Sequence, residues 1–161
     1  GAVIRLYRAY LLRNPDHSGF TYWVGQRGNG RSLLSISSTF AGSSEFRNRY
    51  GPLSNTAFVD LVYQNVLGRP GDASGRSYWI RKLGAGTPRG QMMLNFAQSN
   101  EYRTDTQAGT RVVAAYEDLL LQAVPKDVYD LYVAGLKSAG TSLTAIATRI
   151  YDSAAYRSRF S

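Results

Sequence analysis

An all-helical protein built from tandem four-helix units is the fold the sequence predicts, and three observations predict it. First, sliding the chain against itself by 56 residues superposes two long stretches. Arg13, Asp16, Gly19, Tyr22, Trp23, Gly28, Gly30, Phe40 and Glu45 then fall on Arg69, Asp72, Gly75, Tyr78, Trp79, Gly84, Gly86, Phe96 and Glu101. Identity at a fixed period near 50 residues marks one supersecondary unit used again, each copy burying its apolar face against its neighbours. Second, apolar residues recur at three and four positions, the spacing of one helix face. Third, no stretch alternates with the period of two that a half-buried strand requires.

The elements follow in order. Val3, Leu6, Tyr7, Tyr10 and Leu11 form one face of a first helix, ended by Asn14 and Pro15. Asp16 caps a second helix that stops at Gly28 to Gly30, a third starts at Ser32, and Ser43 caps a short fourth with Glu45 in its first turn. After Gly51 and Pro52 the order repeats: a cap at Ser54 or Asn55, helices from Phe58 and Asp72, Pro88 at the first position of the next, and Ser99 before the last. From residue 110 a third copy keeps the apolar period and loses the signature. Pro125 stands for Asp72, Val128 for Gly75, Tyr132 for Trp79 and Ala155 for Glu101. The expected organisation is one domain, residues 1–161, with units at 2–51, 54–105 and a degenerate 110–160, about twelve short helices packed in three groups of four.

Composition narrows function by exclusion. With 161 residues, 43% of them apolar, the chain can bury a real core. No apolar run reaches the roughly 18 residues of a membrane helix, so membrane insertion is not expected. The absence of cysteine removes disulfides, thiolate metal sites and thiol nucleophiles. Of 19 basic residues 16 are arginine, and the net charge of +8 divides as +5 before Gly51, +2 up to residue 108 and +1 beyond. The arginines are scattered rather than clustered, so charge alone does not specify nucleic acid, though an anionic polymer is a possible class of partner.

Read as a motif, L-x-R-x-P-D-x-S-G-x-x-Y-W around Arg13 to Trp23, followed by F-A-x-S-x-E-[FY]-R, resembles the bacterial domain of unknown function 4214. Phe58 to Arg69, with its Leu67-Gly68-Arg69 turn, matches best. The first copy has Leu12 where the second has glycine, and the second has Gly71 in place of proline. The helical order and that turn are also distantly similar to phycobilisome linker domains. The resemblance implies an accessory module of a larger secreted or surface protein, non-catalytic, with no cofactor.

Arg13, Asp16 and Glu45, and their counterparts Arg69, Asp72 and Glu101, read as a structural network of helix caps and ion pairs. A calcium site at Asp16 or Asp72 lacks the spaced carboxylates that such loops supply, and no metal is expected. Trp23 and Trp79 read as core anchors that lock the fold from within, with Tyr22 and Tyr78 at the edge. If exposed, those tyrosines together with Arg27, Arg76 and Arg81 would form a stacking surface for sugar rings. His17 reads as a surface residue with no counterpart in the second copy. Gly28, Gly30, Gly84 and Gly86 read as C-cap turns rather than a phosphate loop. The expectation is a binding module for a cell-surface carbohydrate or protein, with a protein-docking scaffold and an anionic-polymer binder as alternatives, and no enzyme.

Overall fold

The computed structural model describes residues 1–160, which form twelve α-helices and no strand. They run α1 Ala2–Leu11, α2 His17–Gly28, α3 Leu33–Ala41, α4 Ser44–Tyr50, α5 Asn55–Val62, α6 Ala73–Gly84, α7 Arg89–Ala97, α8 Asn100–Asp105, α9 Gln107–Leu120, α10 Lys126–Lys137, α11 Leu143–Tyr151 and α12 Ala154–Arg157. A wide π-turn, Tyr63–Leu67, extends α5. Helices α2 and α6, and likewise α3 and α7, begin and end 56 residues apart.

Local chemistry sets most of these limits. Six serines, Ser32, Ser43, Ser54, Ser99, Ser142 and Ser153, each accept a hydrogen bond from the backbone N–H three residues on, satisfying a donor the helix cannot pair. Pro88 lies one residue earlier than its reading as a first helical residue: it is the N-cap, and α7 starts at Arg89. The C-terminal turn is made the same way three times, by a left-handed residue at Leu12, Gly68 and Leu121 with φ of 52°, 64° and 53°. Only the middle one is the glycine that this conformation favours.

The interior departs from three groups of four. Helices α1 to α8 share one core, in which Tyr10, Phe58, Leu6, Ile36, Met92 and Met93 are fully buried. A smaller core joins Val112 and Tyr116 of α9 to Ile146 and Ile150 of α11, with α10 laid against it. The first eight helices merge because α3 and α7 approach closely. A methyl group at Gly90 would lie 2.6 Å from the backbone nitrogen of Ser38. Ser37, fully buried there, donates to the Gly90 carbonyl at 2.8 Å and shares a 2.9 Å hydrogen bond with the Tyr10 hydroxyl. That polar link inside an apolar core is satisfied on every side, which a buried hydroxyl requires.

The tryptophans do not lock the fold from within. Helix α2 buries no side chain and α6 only Leu83, so both lie on the outside. Trp23 and Trp79 are half-buried, their rings edge-on to Phe40 and Phe96 at centroid distances of 5.1 and 5.9 Å. The interior was taken by the smaller aromatics of α1 and α5, whose faces have helices on several sides.

Candidate functional site

The repeated Asp-x-Ser-Gly tract is the most organised polar feature. Asp16 Oδ1 accepts from the Gly19 N–H at 2.8 Å and from the Ser18 hydroxyl at 2.7 Å; Asp72 does the same with Gly75 at 2.9 Å and Ser74 at 2.6 Å. The donors favour the charged form, Gly19 first, and hold the Asp16 carboxyl at about 2. Glycine is needed three residues after the aspartate because a Cβ at Gly19 would overlap the Tyr7 phenol oxygen, and one at Gly75 would overlap that of Tyr63. The tract therefore caps a helix and seats a tyrosine of the preceding helix beneath it.

Arg13 completes the network in the first copy. Its guanidinium forks onto Glu45 at 2.7 and 2.9 Å and reaches Asp16 Oδ2 at 3.3 Å, tying α4 to the start of α2. In the second copy the arrangement is looser, with Arg69 3.7 Å from Glu101 and no ion pair from Arg69 to Asp72 among the described residues. Among those residues no group of three or more His, Cys, Asp or Glu is placed to hold a metal.

The residues read as a stacking surface do not all come together. Tyr22 and Tyr78 are 54% and 45% exposed, each edge-on to its neighbouring indole at 4.9 and 5.3 Å. Arg81 is exposed beside Tyr78 on α6, and Lys82, which the sequence reading overlooked, lies 5.6 Å from the Tyr78 ring. Arg76 is engaged elsewhere. It forks onto Asp60 of α5 at 2.5 and 2.8 Å, because one turn of α6 brings it over that helix rather than toward Tyr78. Arg27 donates to the Arg31 carbonyl at 3.0 Å and so closes the end of α2. The arginine that stacks in the first copy is Arg31, 5.1 Å over Trp23 and held there by Ser35 and Thr39. Its counterpart in the second copy is Thr87, so the shift of 56 gave no reason to single it out.

His17 is not a bare surface residue. Its Nδ1 is 2.6 Å from Oε2 of Glu117, whose side chain is fully buried on α9. This pair, together with a hydrogen bond and a 5.4 Å cation–π contact from Arg8 to Tyr129, joins the first helices to the last. Spacing could not reveal it, since His17 and Glu117 belong to different copies and Ala73 stands at the matching place in the second.

Five surface clefts are lined by other residues than these tyrosines. Two of them, about 530 and 550 Å³, share Arg8 and Leu12 and flank the junction with α10. Comparison with curated proteins and with solved structures gives no match. Residues 37–106, from the middle of α3 through α8 and just under half of the chain, match the family described as Domain of unknown function (DUF4214).

Proposed function

We propose that this chain is a non-catalytic binding module of a larger secreted or surface protein, and that it recognises a surface glycan through Tyr22 and Tyr78. One observation supports this reading above the others: two equivalent outer helices each present an exposed tyrosine backed by a half-buried tryptophan. An aromatic face held rigid from behind and wet in front stacks on the apolar face of a sugar with little ordering cost. Arg31 beside Trp23, and Arg81 and Lys82 beside Tyr78, supply donors for sugar hydroxyls. Arg76 has no part in it, since Asp60 occupies its fork.

The test is a glycan array and titration calorimetry with uncharged oligosaccharides in about 0.5 M salt, where simple charge attraction is screened. Tyr22→Ala and Tyr78→Ala should melt like the parent and bind at least tenfold more weakly. Unchanged binding in both would dismiss the proposal.

A second reading, a protein-docking scaffold, is favoured by the apolar side chains that the last helices leave uncovered. Leu131, Tyr151 and Phe160 are among the most exposed large hydrophobics of the chain. Light scattering across a concentration series, repeated with Leu131→Glu, separates it from the first.

A further inference from the structure

Three arginines meet without a carboxylate where α1, α8 and α9 come together. The cleft there, about 410 Å³, is lined by Arg5, Arg103 and Arg111 with the polar side chains of Asn100, Gln107 and Thr110, and by no acidic residue. In a neighbouring cleft, by contrast, Arg13 is ion-paired with Glu45 and Asp16. The side chains of Arg103 and Arg111 have no ion pair or hydrogen bond among the described residues. Arg5 is held in place, its Nε donating to the Ala97 carbonyl at 3.2 Å and Nη2 to Gln98 Oε1 at 2.5 Å. Burial and then the neighbouring charge of Arg103 push the Arg5 guanidinium below its ordinary value, against a smaller opposing effect of Tyr102.

Two further features point the same way. Thr110 is nine-tenths buried, lines this cleft, and its hydroxyl has no partner, a costly state for a buried polar group. The cleft also abuts the N-terminus of the 14-residue α9, which has no acidic residue in its first turn and no side-chain cap. The Thr106 hydroxyl that would serve as that cap donates instead to the Tyr102 carbonyl at 2.5 Å. The first turn of α9 thus carries neither a side-chain cap nor an acid of its own.

We propose that this cleft binds a tetrahedral oxyanion, sulfate or phosphate, either free or as an ester on a polymer. A doubly charged group matches three guanidiniums better than a single carboxylate does, and forked arginine donors suit its oxygens. The site is separate from the tyrosine surface and goes beyond the glycan reading.

The full chain is melted and titrated with inorganic phosphate and with sulfate at ionic strength held constant by sodium chloride. At ten times its dissociation constant the ion should raise the melting midpoint by about 3 to 6 °C. R103Q/R111Q, at two exposed positions, should keep the fold and weaken binding at least tenfold. R49Q/R149Q, which removes the same charge elsewhere, should leave it unchanged, and Thr110→Val should weaken it severalfold. No rise with either ion, or equal loss in both double variants, would overturn the proposal. Binding of a sulfated monosaccharide but not its unsulfated form supports an ester ligand; binding of the inorganic ion alone supports a free one. Because the glycan proposal is read with uncharged sugars and tyrosine variants, either can fail while the other stands.

Discussion

Gly19→Ala tests why glycine follows aspartate in the repeated tract. The added methyl would overlap the Tyr7 hydroxyl and come within 3.2 Å of both Tyr7 Cζ and Asp16 Oδ1. Tyr7 is buried and its ring is wedged edge-on against Phe40 at 5.0 Å, so it cannot swing aside. Overpacking of this kind costs about 1 to 3 kcal/mol, and the better helix propensity of alanine returns at most about 1. The net expectation is a loss of about 1 to 2 kcal/mol. Tyr7→Phe removes the clashing oxygen and with it the hydroxyl's hydrogen bond to the Trp23 side chain, and alone should cost about 1 kcal/mol. In the Tyr7→Phe background the same Gly19→Ala change should be nearly neutral, giving a coupling of about 1 to 2 kcal/mol. Urea unfolding of the four proteins measures it, with equal slopes as the check that the unfolded state is unaltered. Additivity within about 0.5 kcal/mol would show that the glycine is not there for the tyrosine.

Three other predictions follow from the same contacts. Lowering pH should destabilise the fold between about pH 4 and 2: Asp16, held at about 2 by Gly19 and Ser18, and Glu45, held low by Arg13, are worth most above the unfolded carboxylate range and lose their contribution as they protonate. Asp16→Asn keeps the cap without the charge, so its melting midpoint should fall less steeply over that range. His17→Ala leaves the buried Glu117 side chain without its partner and should cost about 1 to 3 kcal/mol in urea unfolding, with most of it restored when Glu117→Leu is added. Trp79→Ala should cost about 2 kcal/mol, against 3 to 5 for Phe58→Ala, because only the phenylalanine is fully buried; equal losses would contradict the placement of α6 on the outside.

The sequence made the helical class and most helix ends legible because these are written locally. A serine or aspartate two or three residues before an apolar face is a chemical instruction that acts within one turn, and the structure places caps at Asp16, Asp72 and six serines. Burial was less legible because it depends on what lies on the far side of a helix. Trp23 and Tyr10 are both aromatic residues at helical spacing, yet the first faces outward past Phe40 while the second is surrounded and tied to Ser37. The only sequence hint was composition: α2 offers three glycines and α6 two, each with few aliphatic residues, too little to anchor a core helix.

The third group shows which parts of the signature depend on one another. Val128 replaces Gly75 on the shifted register, and with that change the tyrosine can no longer seat beneath the helix start as Tyr63 does. The aspartate cap then has less to hold, and Pro125 stands at the N-cap of α10 with no side-chain bond. Helix α10 buries no side chain fully and is held from outside instead, its Tyr129 gripped by Arg8 and its start fitted against Gly109, where a Cβ would strike the Tyr129 hydroxyl. Where the first eight helices carry their tyrosine seats within their own helices, α9 and α10 are tied to the chain's start, Glu117 to His17 and Tyr129 to Arg8. Arg8 and His17, which lie outside the motif shared by the two matching stretches, therefore carry the junction between the two cores.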